Sequence, residues 1–340
     1  MTLGTNSASA LESPATSAAQ RPSGEAASPV RASRLRLITA FAVVYVIWGS
    51  TYLTIRIAIE SFPPLLMAGT RHIIAGLFLF VFLRARRTPP ATRRQWLSCV
   101  LLGILLLSIS NGGLSWAEQI VPTGTASLLV ATVSLWMVLA EWVRPGGTRP
   151  GPRTILGLAL GFCGLIFLVG PSHLGGARVS LLGAAVLVLS SLSWAAASVF
   201  SKHMDVPRSL LLATAMQSLI GGVVLWTGGL ASGEGPALLA GHITWRSVLA
   251  LGYLVIFGSL LGFTAYTYLL RHAPPNRVAT YAFVNPVVAL FLGWAFAGEP
   301  LTPRTLAAGA VILTAVILVI TAPHRDPGHA DDVVPSPGEA

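Results

Sequence analysis

Few side chains in this sequence can do chemistry, and those that can sit in apolar surroundings. Arg71 lies about two turns beyond Pro64, roughly 10 Å along by helix rise. A charge at the centre of a bilayer costs about 2.5–3.5 kcal/mol on insertion scales, so it needs a partner, a water-filled cavity or a path to the interface. Arg71 can tie helices together by pairing with Glu60 or Glu118, or it can bind a carboxylate on a substrate. Glu118 follows Trp116 near the end of an apolar run. It is either a solvated helix end or a carboxylate that closes a gate or takes a coupling proton, because burial makes a carboxyl hold its proton more tightly. Arg56 and Glu60 are spaced to share a helix face, which predicts a local ion pair. Glu141 with Arg144, and Glu299 with Arg304, are expected to pair near helix ends. His72, beside Arg71, faces another direction and is expected to be a packed histidine.

The neutral candidates are Trp48, Tyr52, Asn111, Trp116, Trp136, Trp194, Gln217, Tyr266, Tyr281 and Asn285. With Arg71 and Glu118 they form the expected substrate-binding set. Aromatic belts at membrane interfaces account for Trp96, Trp142 and Trp245. They account poorly for Trp48 and Trp194, which fall mid-run. Asn285 precedes Pro286, so it can satisfy backbone freed by the proline or contact a substrate. Cys99 and Cys163 lack metal-ligand spacing and read as small apolar packing residues. The sequence has no Gly-x-x-x-x-Gly-Lys loop, no His-Glu-x-x-His and no Gly-x-Ser-x-Gly. ATP-driven pumping and intramembrane hydrolysis by this chain therefore have no support, and no metal or cofactor is expected.

Apolar helices must hold these residues. Leu37 to Ile55 carries no charge, and similar runs recur near 65–83, 97–117, 123–140, 154–171, 180–200, 209–231, 247–270, 278–297 and 305–322. A bilayer core of about 30 Å needs about 20 such residues, and backbone in lipid must satisfy itself as helix. Apolar residues make up 54% of the chain and charged residues 10%, far below the roughly 25% of soluble domains. The net charge of +10 does not point to nucleic acid, because its placement alternates with the loops. Of 22 basic residues, 17 fall in the tails and loops on one side and 3 in the loops opposite. Basic loops stay cytoplasmic, so both termini are expected there, as ten spans require. Residues 1–35, and those from about Pro323, are expected to be disordered tails.

The ten runs read as five written twice. Trp48 and Arg56 match Trp194 and Lys202, Leu66–Gly76 lies over Leu211–Gly221, and Pro152-Arg153-Thr154 recurs as Pro303-Arg304-Thr305. Five is odd, so the second copy enters the membrane from the opposite side, the arrangement that supports alternating access. Gly157 and Gly161 on helix five, with Gly164, and the small residues Ala307–Ala310 on helix ten predict close helix packing within one protomer. A homodimer contact is the alternative use of these faces. Helices one to four and six to nine, which carry the polar residues, are expected to enclose a cavity near the midplane, with five and ten outside it.

Several stretches resemble the EamA family of the drug/metabolite transporter superfamily. They are Trp48-Gly49-Ser50-Thr51-Tyr52, Trp116-Ala117-Glu118-Gln119, Ala131-Thr132-Val133-Ser134-Leu135-Trp136 and Arg144-Pro145-Gly146-Gly147. Two more are Tyr281-Ala282-Phe283-Val284-Asn285-Pro286-Val287-Val288 and Gly298-Glu299-Pro300-Leu301-Thr302. The resemblance implies an all-α polytopic membrane protein of ten transmembrane helices in two inverted five-helix repeats, over residues 36–171 and 178–322. It implies a secondary transporter of the plasma membrane that exports small molecules such as amino acids or drug-like compounds. Its partners would be that substrate and the lipid bilayer. Rival readings are a membrane scaffold or an intramembrane enzyme without transport. One departure stands out: Ser134 replaces the proline common in the family's fourth span, while Pro286 is kept in the second copy.

Overall fold

The computed structural model describes residues 34–147, 149–170, 179–273 and 275–322. The two expected disordered tails lie almost entirely outside these residues. Among the described residues nine helices are long and apolar enough to cross a membrane: α1 (Arg34–Ala58), α2 (Pro64–Ala85), α3 (Arg93–Ala117), α4 (Thr123–Val143), α5 (Pro152–Val169), α6 (Leu181–Ser201), α7 (Leu210–Ala231), α8 (Trp245–Leu270) and, after α9, α10 (Pro303–Ile320). α9 (Tyr281–Ala297) is apolar and slightly shorter. We call the face where α1 begins and α10 ends the terminal face, and the opposite one the far face. Arg153 at the start of α5 donates to Thr321 past the end of α10 at 2.8 Å, which fixes those two ends on the terminal face.

Five helices supply their own N-terminal acceptor. Thr92 caps α3 in a reciprocal box with Gln95, and Ser180, Ser209, Thr244 and Thr302 cap α6, α7, α8 and α10. α2 and α4 differ. Their N-cap residues are Pro63 and Pro122, which have no side-chain acceptor. The first amides of a helix must still find partners. They find them in the second half of the chain. Glu234, at the start of a short helix after α7, accepts from Leu65 and Leu66 N–H at 3.2 and 2.9 Å. Glu299, just after α9, accepts from Thr123 and Gly124 N–H at 2.6 and 3.0 Å.

Apolar helices in lipid gain little from hydrophobicity against one another, so close packing of small residues must hold them. α2 and α7 meet backbone to backbone. A Cβ on Gly69 would stand 2.9 Å from the carbonyl oxygen of Gly222, and one on Gly222 would stand 3.0 Å from that of Gly69. α5 packs on α10 through Gly157, Gly161 and Gly164, which face Ala315 and Ile312. Cys99 is buried with Leu83, Leu212 and Met216. Cys163 is exposed on α5, so it is a surface side chain rather than a packing residue, because the α5 face that meets α10 is the glycine face.

Three helices carry wider π-type turns: Val44–Trp48 in α1, Ile104–Asn111 in α3 and Leu254–Leu261 in α8. Such turns often mark functional sites because they re-aim side chains and loosen the backbone ladder. α4 is interrupted at Thr132, whose hydroxyl donates to the carbonyl of Leu129 at 2.5 Å. The interruption therefore occurs without a proline, whereas α9 runs unbroken through Pro286.

Candidate substrate cavity

A cavity of ≈ 130 Å³ lies between the two halves. It is similar in size to an engineered cavity of about 150 Å³ that holds one benzene ring. Its walls come from α1, α2, α3, α4, α6, α8 and α9; no lining residue belongs to α5 or α10, and none belongs to α7, which was expected among the enclosing helices and instead backs onto α2 and α3. The three π-type turns all reach it, through Trp48, Ser110, Asn111 and Gly258.

Arg71 is the charged member of the lining. It is 6% exposed. Its Nε donates to Ser259 Oγ of α8 at 3.0 Å. Neither Glu60 nor Glu118 pairs with it, and among the described residues no carboxylate lies within ion-pair distance of it. The expected pairing with Glu60 or Glu118 is therefore not found: one neutral hydroxyl of α8 orients the guanidinium. Gly258 makes room for it. A Cβ there would stand 3.1 Å from Arg71 Nη2 and 3.1 Å from Thr51 Cγ2. His72, one residue on, is buried with both ring nitrogens unpartnered.

Aromatic rings form much of the rest of the wall. Trp48 donates from its indole nitrogen to the Gly258 carbonyl at 3.2 Å. Its ring meets Phe263 at 5.7 Å and Tyr281 at 5.4 Å, both edge-on, the arrangement that aromatic quadrupoles favour. Tyr52 and Trp194 complete the apolar lining, with Asn111 and Asn285 as its amides. Asn285 Oδ1 is buried without a partner.

Of the twelve residues expected to bind substrate, seven line this cavity: Trp48, Tyr52, Arg71, Asn111, Trp194, Tyr281 and Asn285. Five do not. Tyr266 stands behind the wall, its ring tilted against that of Trp48 at 5.1 Å. Trp116 packs into the apolar cluster of Ala117, Val121 and Leu187, because its direction on α3 differs from that of Asn111. Trp136 lies one turn beyond the lining residue Val133 and meets Phe162 of α5 at 5.0 Å. Gln217 lies where α7 backs onto Gly103 of α3, so close that a Cβ on that glycine would stand 2.8 Å from the Gln217 carbonyl oxygen. Glu118 follows Asn111 and Leu114 on the same face of α3 but lies beyond the cavity, towards the far face.

Glu118 is fully buried, and neither carboxyl oxygen has a hydrogen-bond partner. Burial holds its carboxyl well above the usual carboxylate range, nearby Glu299 acts in the same sense, and Arg56 opposes both. Arg56 donates to the backbone carbonyl of Glu118 instead of pairing with Glu60. Glu60 pairs with Arg246 of α8 at 3.4 Å, because α8 starts where α1 ends. Glu299 commits both oxygens to α4, while Arg304 donates to the carbonyls of Phe167, at 2.7 Å, and Gly170. Glu141 and Arg144 do pair, at 2.7 Å.

The lining also holds residues not singled out from the sequence: Thr51, Ile55, Ser110, Leu114, Val130, Val133, Ser191, Gly258 and Phe263. Helical spacing was the available signal for some of them. Thr51, Leu114 and Ser191 stand three positions from Trp48, Asn111 and Trp194. Ser259, which orients Arg71, had no local signal, since it arrives from the other half of the chain.

The EamA-like transporter family model matches residues 35–170 and 181–321. An inner membrane transporter of Escherichia coli (strain K12), named YedA and described as uncharacterized, is 40% identical over 288 residues, 84% of this chain and 90% of that protein. A probable amino-acid metabolite efflux pump of Salmonella typhimurium is 28% identical over 291 residues, 82% of this chain and 92% of that protein. A crystal structure with 19% sequence identity superposes with a TM-score of 0.56 over 85% of this chain and 97% of its own, a likeness of fold alone. The match spans both halves of a ten-helix, inverted-repeat membrane protein, and the chain belongs to the EamA-like transporter family.

Proposed function

We propose that the protein exports small carboxylate-bearing metabolites, aromatic amino acids among them, by alternating access of its two repeats around the Arg71 cavity. One observation carries this reading: a buried guanidinium lines the cavity, held by a hydroxyl and unpaired with any carboxylate among the described residues. A planar guanidinium matches a carboxylate in two-pronged geometry. The surrounding Trp48, Tyr52, Trp194, Phe263 and Tyr281 suit an apolar or aromatic body. The efflux pump of Salmonella typhimurium supports the direction and the amino-acid class. The asymmetry of basic residues supports a plasma-membrane protein with the terminal face in the cytoplasm, so that export runs from the terminal to the far face.

Uptake of labelled compounds into everted membrane vesicles tests this directly. Aromatic amino acids and aromatic acids without an amino group should accumulate, and the corresponding amides should not. Equal uptake of acids and amides would remove Arg71 as the anchor, and no flux from a folded protein would favour a scaffold. Reporter fusions at Gly147 and Gly235 should read cytoplasmic and external. The reverse result would invert the proposed orientation.

A further inference from the structure

Glu118 is not a wall of the cavity, so its burial needs another account. Its surroundings supply one. Glu299 accepts hydrogen bonds from two helix amides through both oxygens, at a helix N-terminus, where negative charge is favoured. Glu118 is close enough for Glu299 to repel its negative charge. Arg56 approaches the same residue but directs a guanidinium N–H to its backbone carbonyl. Tyr52, one turn before Arg56 on α1, lines the cavity and lies within electrostatic reach of Glu118. α2, packed against the same end of α3, brings Arg71, whose guanidinium is held by Ser259, and the buried His72. α6 has no titratable side chain, α4 has only Glu141 at its opposite end, and Arg304 of α10 is turned to the α5 carbonyls. A second anion, dry and without a hydrogen-bond donor, cannot be sustained there. The proton is what makes this packing possible.

We propose that Glu118 is the protein's proton-binding site, and that its protonation closes the far face while its deprotonation opens it. The proton adds to one carboxylate oxygen and leaves from the same oxygen, with no other bond made or broken. In the closed form a neutral Glu118 packs beneath the Glu299 clasp on α4. On loss of the proton, two carboxylates repel across this contact, and the ends of α1 and α3 separate from α4 and α9. The sign follows from linkage: a proton held more tightly in the closed form favours that form at low pH, and the preference is lost as pH rises. The inference rests on the transport reading for its purpose, since the proton becomes the coupling ion of the cavity's cycle.

The test uses the full chain in lipid and needs no substrate. Its infrared spectrum at neutral pH should contain a protonated-carboxyl band that Glu118→Gln lacks and that fades as pH rises. In a Cys163→Ser, Val121→Cys background, the new thiol lies buried beneath the far face. Its reaction with a membrane-impermeant maleimide at alkaline pH should be faster with Glu118 than with Glu118→Gln. The difference should be roughly fivefold or more, the lower end of coupling between linked sites. Comparing the same thiol at the same pH removes its intrinsic reactivity. No Glu118 band, a band that does not titrate, or equal labelling in the two proteins would overturn the proposal. Failure of transport with the band and labelling intact would instead strike the transport reading alone.

Discussion

Arg71 of α2 and Met216 of α7 occupy corresponding places in the two repeats, at the offset that lays Leu66–Gly76 over Leu211–Gly221. Arg71 enters the cavity, and Met216 is fully buried in an apolar cluster with Leu83, Cys99 and Leu212. Other features do repeat. Trp48 and Trp194 both line the cavity, and α3 and α8 each carry an eight-residue π-type stretch. The backbone is thus duplicated while the charge is not. In the proposed cycle the inverted pair of scaffolds supplies the two access states, and the single cation would hold the substrate in one orientation within them. The clasps are one-sided too: Glu234 and Glu299 both come from the second repeat and both cap helices of the first.

The largest expected effect breaks the comparison at its centre. Arg71→Ala should weaken substrate affinity by about 2–5 kcal/mol, as loss of one partner from a buried charge pair does. Folded yield should change little, because no carboxylate among the described residues pairs with Arg71. Arg71→Lys should fall between the two, keeping charge without the planar fork. Met216→Ala should do the opposite, costing about 2–5 kcal/mol of stability with the substrate affinity of the folded fraction preserved. Vesicle transport at varied substrate concentration, read beside thermal unfolding in detergent, separates them. A transport defect in the methionine variant matching that in Arg71→Ala would end the distinction.

Removing the hydroxyl that orients Arg71 should act less strongly. Ser259→Ala should weaken affinity by about 1.5–3 kcal/mol, the range for a hydrogen bond to a charged group. Gly258→Ala should weaken it by about 1–3 kcal/mol by crowding Arg71 and Thr51. Gly252→Ala, with nothing within 4 Å of its new Cβ, is the control on the same helix. Substrate protection against thermal unfolding reads both.

The clasps come next. Glu234→Ala should lower stability by about 0.5–2 kcal/mol through the uncapped amides of α2, the usual cost of losing an N-terminal acceptor. It should leave the pH response of far-face labelling intact. Glu299→Ala should cost as much and also blunt that response, because it removes the charge that Glu118 opposes. If the two variants share one pH profile, the clasps are equivalent and the Glu299 contact has no special part. Glu60→Gln should have the smallest effect, since its partner Arg246 is largely exposed and surface pairs contribute little. Thermal unfolding should not distinguish it from the parent.

How much of this was legible in sequence depends on range. Span length and hydropathy fix the ten helices, because backbone in lipid has no partner but itself. Mid-span polarity marks Arg71, Trp48 and Asn285, because such residues need a reason to be there. The failures share a cause. Arg56, Glu60 and Glu299 have oppositely charged neighbours nearby in sequence, yet the fold gives them Glu118, Arg246 and the α4 amides from elsewhere. Trp136 and Tyr266 have the chemistry of cavity residues, yet helix rotation and neighbouring rings place them behind the wall.

The sequence by itself therefore determined the class, the number of spans, the repeat and the residues whose burial is costly. Those properties follow from transfer free energies and helix periodicity, which are local. Only the tertiary structure decided that Arg71 faces a cavity instead of a carboxylate, that Glu118 is buried near Glu299, and that the first amides of α2 and α4 are capped across the repeats. Those outcomes depend on which helices meet and at what rotation. That is set by the close approach of small residues such as Gly69 and Gly222.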